Sequence, residues 1–293
     1  MKVLISIPAF NEARTIGRVL DDIHTVMKKS KYKYNVLVVD DGSRDATYKI
    51  AMDHGAKVFR HPRNCGLAEA FRTEMKLFIE SDCDVFVHTD ADGQYLSSEI
   101  PKLLKEIENG YDLVLGSRFK GKIEHMPLLK RMGNIAFSKV LTHITQTPIS
   151  DGQTGFRAFT KEVAKKVQIT STFTYTQEQI IRTVKNKFHI KEVPAYFARR
   201  GGKSRLMKGP FDYAIKAWIN IFRIYRDYEP LKFFGLFGGT FFALGSFVIL
   251  WLLFLFFTTG TIGHLPSLLL AILLITVGIQ ILLFGFLADM HRK

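Results

Sequence analysis

Hydrophobic positions follow two different patterns along this chain of 293 residues. As far as residue 230 they come in short runs separated by polar segments, as in a domain that folds around its own core. Two later stretches, residues 233–259 and 265–288, contain no Asp, Glu, Lys or Arg. About 20 apolar residues cross the hydrocarbon of a bilayer, and buried core helices rarely lack charges over such a length. The pattern therefore predicts a soluble-type domain followed by two transmembrane helices.

The distribution of Lys and Arg around the two predicted spans indicates their orientation. Arg292 and Lys293 follow the second span, whereas residues 258–265 between the spans contain neither Lys nor Arg. Basic residues also crowd the approach to the first span: Arg199, Arg200, Lys203, Arg205, Lys208, Lys216, Arg223, Arg226 and Lys232. Short cytoplasmic segments are enriched in Lys and Arg. We therefore expect an integral membrane protein with two spans, whose termini and large domain are all cytoplasmic.

The segment ahead of the first span has the periodicity of an amphipathic helix. Its apolar residues recur at intervals of three and four positions: Phe211, Ala214, Ile215, Trp218, Ile221, Phe222 and Tyr225. Such a helix beside a span is typical of the bilayer interface, and the alternative is a helix packed on its own domain. The predicted organisation is a domain at residues 1–208, an interfacial helix at 209–230 and a two-helix hairpin at 231–293.

Within the predicted domain, short β-rich runs alternate with helical patterns. The β-rich runs are residues 3–8, 36–40, 57–60, 85–90 and 113–117, and the helical patterns are residues 12–29, 45–53, 67–81 and 98–109. Alternating units of this size predict an α/β fold whose mostly parallel sheet is covered by helices on both faces. Ligands of such sheets bind at the carboxyl ends of the strands. His88, inside the fourth apolar run, is predicted to be a packed core histidine.

Four of the predicted strand ends carry polar clusters. They are Asn11-Glu12, Asp40-Asp41-Gly42-Ser43, Asp90-Ala91-Asp92-Gly93-Gln94 and Gly116-Ser117-Arg118. The first junction lacks the glycine pattern of dinucleotide-binding folds, and the chain has no Walker-type phosphate loop, which disfavours both nucleotide folds. Asp90 and Asp92 together suit a hard divalent cation, with Gln94 as a further oxygen ligand. Taken alone, each acidic cluster has a simpler alternative as a turn that caps the next helix.

In combination, these clusters resemble a known family. Their order along the chain resembles that of family 2 glycosyltransferases of the GT-A fold. The motifs in this order are Pro8-Ala-Phe-Asn-Glu12, the two acidic clusters, Gly116-Ser-Arg118 and Thr154-Gly-Phe-Arg157. The likeness covers residues 1–208 and is greatest for the dolichol-phosphate mannose synthase and polyprenyl-phosphate glucosyltransferase branch. It implies inverting transfer of a single hexose from a nucleotide-sugar to a polyprenyl (dolichyl-type) phosphate at the cytoplasmic membrane face. The pattern over residues 199–205 favours GDP-mannose as donor, and the two-span tail favours UDP-glucose.

The resemblance also implies roles for individual residues. Residues expected to contact the nucleotide-sugar are Pro8, Phe10, Glu12, Val39, Asp41, Asp90, Ala91, Asp92, Gln94, Arg118, Arg199 and Arg205. Asp92 and Gln94 would hold Mg²⁺ or Mn²⁺. Arg118, Arg199 and Arg205 would also face the acceptor phosphate. Phe10 stands where Tyr is common, and Arg205 where the family has Lys, so the nucleotide preference stays open.

Two further residues are candidates on their position alone. Asp151, three residues before Thr154, would orient the acceptor or act as a weak base, so that Asp92, Arg118 and Asp151 form the predicted catalytic set. The alternative for Asp151 is a loop carboxylate that pairs with Arg131 or Arg157. Arg131 is a candidate ligand of the acceptor phosphate, with a solvated surface arginine as the alternative.

Other functions are disfavoured by particular features of the sequence. The net charge of +14 is concentrated beside the predicted spans, which suits a lipid bilayer and not a nucleic acid. A processive polysaccharide synthase would carry a Q-x-x-R-W motif and more spans. An inert membrane scaffold would have lost the metal carboxylates or the arginines. Homo-oligomers are possible through close helix packing at four glycines of the first span, Gly235, Gly238, Gly239 and Gly245.

Overall fold

The computed structural model describes residues 1–170, 175–199, 219, 222–260 and 265–290. The chain divides into two compact units, residues 1–214 and 215–293. Much of the predicted interfacial helix at 209–230 lies outside the described residues, although residues 222–228 are helical. The two units are described separately below.

The first unit is an α/β domain built on one sheet of seven strands. The strands are β1 (Lys2–Ala9), β2 (Lys33–Asp40), β3 (Lys57–Arg60), β4 (Val85–His88), β5 (Leu113–Ser117), β6 (Arg157–Thr160) and β7 (Ile190–Pro194). The helices are α1 (Ile16–Lys28), α2 (Thr47–Asp53), α3 (Leu67–Glu80), α4 (Ile100–Glu108), α5 (Leu128–Thr145), α6 (Lys161–Lys166) and α7 (Thr176–Lys185).

The sheet has the strand order β3-β2-β1-β4-β6-β5-β7. Every pairing is parallel except the two made by β6, which runs antiparallel to β4 and to β5. Arg157, the first residue of β6, is in register with His88 of β4 and Leu115 of β5. The loop that precedes β6 therefore lies at the carboxyl ends of β4 and β5, among the polar clusters.

The core forms where alternate strand positions meet the apolar stripes of helices. Along β1, Val3, Ile5 and Ile7 are fully buried, as the period of two in a strand requires. On α1 the buried residues recur at intervals of three and four: Ile16, Val19, Leu20, Ile23 and Met27. Both sets belong to one continuous hydrophobic cluster, which holds the β1 and α1 backbones in place beneath the loop that joins them.

Five of the strands and the four intervening helices were predicted from the sequence. β3 and β5 begin and end at the predicted residues. Helix α1 begins at Ile16 and not at residue 12, because Asn11 adopts a left-handed conformation with φ of 54°. The turn that follows is closed by the amide of Thr15 donating to the carbonyl of Glu12 at 3.0 Å. Residues 11–15 are thereby freed to form a loop at the sheet edge.

The second unit contains helices α8 (Pro230–Thr259) and α9 (Leu265–Met290), both long and apolar enough to cross a membrane. They pack together through small residues spaced seven apart. A Cβ at Gly238 would lie 2.8 Å from the carbonyl oxygen of Gly278, and one at Gly245 would lie 2.9 Å from that of Ala271. Two of the four glycines considered for contacts between protomers thus serve packing within one chain. Gly235 and Gly239 have nothing within 4 Å, and homo-oligomerisation stays a prediction.

Candidate active site

The loops after β1 and β2 are joined by hydrogen bonds that fix the first part of the site. The amide of Asn11 donates to Ser43 Oγ at 2.9 Å, and its side-chain oxygen accepts from the amide of Arg44 at 2.8 Å. The amide of Glu12 donates to Thr47 Oγ1 at 2.8 Å. Because these hydrogen bonds tie the two loops to each other, the residues predicted to bind the nucleotide-sugar at the ends of β1 and β2 have fixed positions.

A cavity of about 670 Å³ opens at this place. Its lining is rich in basic and amide groups: Phe10, Asn11, Gly42, Ser43, Arg44, Arg60, His61, Pro62, Arg63 and Asn64. Phe10 is the predicted nucleotide-binding residue that lines it directly. The segment 60–64 follows β3 and forms the opposite wall. From the sequence, only Asn64, in the loop Asn64-Cys65-Gly66 that enters the next helix, was expected near the nucleotide. The combination of an aromatic ring with cationic and amide side chains suits a polar, anionic ligand with a planar group.

Asp41 is buried behind this cavity with its carboxylate fully engaged. Oδ1 accepts from His61 Nδ1 at 2.7 Å and from the amide of Cys65 at 2.9 Å, and Oδ2 accepts from the amide of Gly66 at 2.8 Å. One oxygen, nitrogen and sulfur atom of Asp41, His61 and Cys65 lie within 4.8 Å of one another. Asp41 thus ties the loop after β2 to the start of α3.

Gly42 has a conformation that only glycine adopts without strain. Its φ is 73°, and a Cβ would lie 2.4 Å from the carbonyl carbon of Arg63. The absence of a side chain lets the two walls of the cavity approach each other closely. This is the physical reason for the glycine in the acidic cluster that ends β2.

The second acidic cluster forms a tight turn after β4. The amide of Gln94 donates to Asp92 Oδ1 at 3.1 Å, and Gly93 supplies a φ of 72°. Gln94 is itself anchored at two points. Its side-chain Nε2 donates to the carbonyl of Ala198 at 3.0 Å, and its main-chain carbonyl accepts from the amide of Ala198 at 2.8 Å. The turn therefore presents carboxylate and amide oxygens on a rigid frame.

Gly155, in the loop before β6, packs directly on Asp90. A Cβ at Gly155 would lie 3.0 Å from Asp90 Oδ1. The loop is itself held by Thr154, whose Oγ1 donates to the carbonyl of Gly116 at 2.8 Å. Asp90 and Asp92 are both partly exposed, so the carboxylates are supported from behind and still face solvent.

Arg118 and Asp151 form a buried ion pair at the end of β5. Asp151 Oδ2 accepts from Nε of Arg118 at 2.7 Å and from its amide at 3.0 Å, and Oδ1 accepts from Nη2 at 2.8 Å. Burial alone would lower the pKa of Arg118, but Tyr95, Asp151 and Asp90 together raise that pKa above its ordinary value. The partner of Asp151 is thus Arg118, and not Arg131 or Arg157 as the sequence alternative held.

Tyr95 connects the turn after β4 to the loop before β6. Its hydroxyl lies 3.3 Å from Thr154 Oγ1, and its ring stacks on Phe156 with centroids 5.2 Å apart. Burial raises the pKa of Tyr95 to about 12, so the hydroxyl stays neutral at physiological pH. Sequence reasoning missed Tyr95 because one aromatic residue after a polar turn carries no distinguishing signal.

A buried polar network lies beneath these loops. His88 Nδ1 lies 2.9 Å from the carbonyl oxygen of Gly155, and Nε2 lies 3.4 Å from Glu74 Oε2. Ser6 Oγ donates to Glu74 Oε1 at 2.9 Å, and the Tyr175 hydroxyl lies 3.1 Å from His88 Nε2. His88 is a packed core histidine, as predicted. Through its contact with the Gly155 carbonyl, His88 also supports the loop before β6, in which Gly155 packs on Asp90.

The remaining predicted residues occupy different surroundings. Arg157 is fully buried, and its guanidinium donates to Gln179 Oε1 at 2.8 Å. Arg199 is exposed, with its amide donating to Glu124 Oε2 at 2.7 Å, and it follows the Ala198 that is bonded to Gln94. Arg131 is exposed on α5. Arg205 lies outside the described residues.

Three groups of predicted residues therefore line one edge of the sheet. Pro8 lies near the end of β1, Phe10 and Glu12 follow that strand, and Val39 is buried at the end of β2. Asp90, Ala91, Asp92 and Gln94 follow β4. Arg118 directly follows β5, beside the loop 151–155. This is the order of β2, β1, β4, β6 and β5 in the sheet, so the groups form a continuous row.

Comparison with known proteins indicates the family. Residues 4–168 match the description "Glycosyl transferase family 2". A dolichyl-phosphate hexose transferase of Haloferax volcanii is 34% identical over 67% of this chain and 83% of its own. A UDP-N-acetylglucosamine–dolichyl-phosphate N-acetylglucosaminyltransferase of Methanococcus voltae is 32% identical over 66% of this chain and 84% of its own.

A solved structure supports the fold. Glucosyl-3-phosphoglycerate synthase from Mycobacterium tuberculosis, in complex with Mn²⁺, UDP and glucosyl-3-phosphoglycerate, matches 75% of this chain and 79% of its own with a TM-score of 0.58. Its sequence identity of 18% limits the likeness to the fold. The α/β GT-A architecture expected from the sequence is confirmed.

Proposed function

The chain belongs to glycosyl transferase family 2, and on this premise we propose that it transfers one hexose, with inversion, from a nucleotide-sugar to a polyprenyl phosphate. The observation that carries the proposal is the row of groups along the sheet edge. A basic cavity at the ends of β1 and β2 is followed by the Asp90–Asp92 turn and then by the Arg118–Asp151 pair. In this order the cavity would hold the base and ribose of the nucleotide-sugar, the turn its diphosphate, and the ion pair the acceptor phosphate. The relatives named for sugar transfer to dolichyl phosphate support both substrate classes.

The nucleotide-sugar donor would occupy the cavity and the turn that carries Asp90 and Asp92. Phe10 and the side chains of residues 60–64 would contact the base, with Pro8, Glu12, Val39 and Asp41 shaping the site from below. Since Asp41 already accepts three hydrogen bonds, it contributes mainly by holding the wall formed by residues 61–66. Ala91 and Asp90 would approach the diphosphate.

The oxygen atoms of the turn suit a divalent cation. Asp92 offers a carboxylate and Gln94 an amide oxygen, which are the hard ligands that Mg²⁺ and Mn²⁺ prefer. The Gln94 Nε2 donates to the Ala198 carbonyl, and this bond fixes which face of the amide carries the oxygen. When bound, the cation would neutralise charge on the leaving nucleoside diphosphate.

The acceptor phosphate would bind to arginine side chains. Arg118 is oriented by Asp151, and Arg131, Arg199 and Arg205 are the further candidates. A polyprenyl phosphate is already anionic near neutral pH, so little deprotonation is required. Because both Asp151 oxygens accept from Arg118, we assign Asp151 as a positioning residue for Arg118 in place of a weak base. Positioning and electrostatics would then supply most of the rate.

The bilayer would supply the acceptor. Helices α8 and α9 have the length and apolar composition of membrane spans. With basic residues before the first and after the second, the proposal places both termini and the catalytic domain on the cytoplasmic side. In this arrangement the domain receives a cytoplasmic nucleotide-sugar and a membrane lipid at the same surface.

Transfer by the full chain tests this function. The chain in nanodiscs with a polyprenyl phosphate would receive labelled GDP-mannose, UDP-glucose or UDP-N-acetylglucosamine separately, with Mg²⁺ or Mn²⁺. Labelled lipid should form from one preferred donor and be lost in Asp92→Ala. Asp22→Ala, which changes an exposed carboxylate of α1, is the matched control. Donor hydrolysis without labelled lipid, or equal product from Asp92→Ala, would contradict the proposal.

A further inference from the structure

Asp41, His61 and Cys65 bring a carboxylate, an imidazole and a thiol together beside the cavity. One potential ligand atom from each side chain lies within 4.8 Å of the other two. Among the residues that the structure describes, no other group of three His, Cys, Asp or Glu side chains converges in this way. We propose that these three side chains form a binding site for a thiophilic divalent cation such as Zn²⁺. The site is separate from Asp92 and Gln94, and the inference does not depend on sugar transfer.

The sheet itself brings these side chains together. Asp41 directly follows β2, His61 directly follows β3, and Cys65 lies two positions before α3. Strands β2 and β3 are parallel neighbours, with Asp40 in register with Arg60. The next residue of each strand therefore emerges at the same carboxyl edge, so Asp41 and His61 meet. The convergence follows from the register of two paired strands and is not a chance contact between loops.

The types of the ligand atoms select the metal. Thiolate and imidazole ligands favour Zn²⁺ and Co²⁺, whereas Mg²⁺ and Mn²⁺ favour sites made of oxygen atoms. Three protein ligands leave one position of a tetrahedral Zn²⁺ ion open to water. The ion displaces the proton of the Cys65 thiol, which passes to solvent. Because the thiolate and the Asp41 carboxylate together carry two negative charges, a divalent ion adds no net charge beside the basic lining of the cavity.

Neighbouring groups already orient the imidazole and the carboxylate. His61 Nε2 lies 2.9 Å from Thr73 Oγ1, and metal-bound histidines keep such a partner on their second ring nitrogen. A hydroxyl can donate or accept, so Thr73 suits the ring whether Nδ1 carries a proton or a metal ion. Asp41 is held by the amides of Cys65 and Gly66 at 2.9 and 2.8 Å. A carboxylate accepts about four hydrogen bonds, which leaves room for the ion.

The site is accessible from one side and needs only small side-chain movements. Asp41 and His61 are buried, whereas Cys65 is exposed and provides the path of entry. Bonds of about 2.0–2.3 Å to Zn²⁺ place its ligand atoms roughly 3–4 Å apart. His61 Nδ1 lies 2.7 Å from Asp41 Oδ1, so the ion widens this contact as it replaces the proton between them. The Cys65 thiol donates to the carbonyl of Arg63 at 3.3 Å, and rotation of the side chain releases this bond.

Cobalt spectroscopy tests the site directly. The full chain in detergent, stripped of metal with a chelator, would be titrated with Co²⁺ in the absence of nucleotide-sugar and lipid. We expect a stoichiometric amount of Co²⁺ to produce the spectrum of a four-coordinate ion with a thiolate-to-cobalt charge-transfer band. Zn²⁺ should displace the Co²⁺, since it binds such ligands more tightly. The band should be lost in Cys65→Ser and kept in Cys83→Ala, the matched control that removes the other of the two cysteines.

Three results of this titration would overturn the inference. One is a wild-type chain without the charge-transfer band, and another is an equal band in Cys65→Ser. The third is loss of the band in Asp92→Ala, because a site separate from the turn after β4 should keep it. The titration contains neither donor nor acceptor. A chain that binds Co²⁺ in this way but transfers no sugar would therefore refute the proposed function and leave the metal site established.

Two further measurements test the ligands without removing them all. Thr73→Val keeps the shape of the side chain but removes the partner of His61 Nε2, so it should weaken Co²⁺ binding about tenfold and keep the charge-transfer band at saturation. An unchanged affinity would contradict the assignment of His61 as a ligand. Zn²⁺ should raise the midpoint of thermal unfolding of the wild-type chain in a concentration-dependent way and leave that of Cys65→Ser unchanged. Equal stabilisation of both chains would place the bound Zn²⁺ elsewhere and overturn the inference.

Discussion

Arg118 and Asp151, 33 residues apart in sequence, form a two-point ion pair with Nε–Oδ2 and Nη2–Oδ1 distances of 2.7 and 2.8 Å. The Arg118 side chain is 6% exposed and that of Asp151 is fully buried. The pair is anchored in turn by Glu192, whose Oε1 accepts from the amide of Asp151 at 3.0 Å. A guanidinium held so firmly has one orientation, which is the property that recognition of a phosphate requires.

Removal of the carboxylate should destabilise the domain. Asp151→Ala leaves the Arg118 charge buried without a partner, and such losses typically cost about 3–5 kcal/mol of unfolding free energy. Chemical denaturation of the full chain, followed by the signal of the α/β domain, measures the change. Asp22→Ala on the exposed face of α1 should change the value by less than about 0.5 kcal/mol. Equal stability of the two variants would show that the pair contributes nothing.

The role of Asp151 in turnover can be separated from its role in folding. Asp151→Asn keeps the size of the side chain but weakens its hold on Arg118. As a positioning residue it should raise the KM for the acceptor about tenfold and leave the KM for the donor near its original value. A general base would behave differently, since its loss lowers kcat by roughly 10²–10⁴ with both KM values retained. Steady-state kinetics with each substrate varied in turn distinguish the two.

The contact of Gly155 with Asp90 should affect donor binding. In Gly155→Ala the new methyl group would lie 3.0 Å from Asp90 Oδ1, so the carboxylate must shift by a few tenths of an ångström away from its rotamer minimum, at a cost of about 1 kcal/mol. We expect donor affinity in the presence of Mn²⁺ to fall about fivefold. Calorimetric titration of the donor measures it. In an Asp90→Ala background the same substitution should have no further effect, and an equal loss there would disprove the contact's role.

Tyr95 should make stability decrease in alkaline solution. Its pKa is about 12 in the folded chain and about 10 when unfolded. Between these values the unfolded chain releases a proton that the folded chain keeps, so the contribution of Tyr95 is present below pH 10 and is lost as pH rises towards 12. From pH 9 to pH 11 the stability difference between wild type and Tyr95→Phe should shrink by about 1 kcal/mol. Denaturation curves at the two pH values test this, and a constant difference would show that Tyr95 titrates normally.

The parallel part of the sheet could be predicted because its strands are apolar runs that end in polar residues. Strands β6 and β7 were not predicted. Strand β6 begins with a charged residue, Arg157, and β7 has a mixture of exposed and buried positions without a clear alternation. Helix α5 was not predicted either, since its exposed leucines mask the period of its buried face. These elements decide where the loop 151–155 lies, so the sequence alone could not place it.

The sequence predicted that polar residues at the strand ends share one edge of the sheet, but it did not predict their hydrogen-bond partners. The polar ends of β1, β2, β4 and β5 had to meet at one edge once the sheet was parallel. The partner of Asp151 depends on the antiparallel insertion of β6, which brings the loop 151–155 to Arg118. Glu74 lies in an amphipathic helix, where a glutamate is expected on the surface, and its burial beside Ser6 and His88 has no local signature. The anchoring of Gln94 by Ala198 joins residues 104 positions apart.

The most direct test of the central claim is mass spectrometry of the lipid formed by the full chain from a polyprenyl phosphate and the preferred donor. The account predicts a single product that carries one hexose in a phosphodiester to the polyprenol. Its formation should require divalent cation and disappear in Asp92→Ala. A ladder of longer glycans would indicate a processive synthase, and unmodified polyprenyl phosphate in the presence of bound donor would contradict transfer to this acceptor.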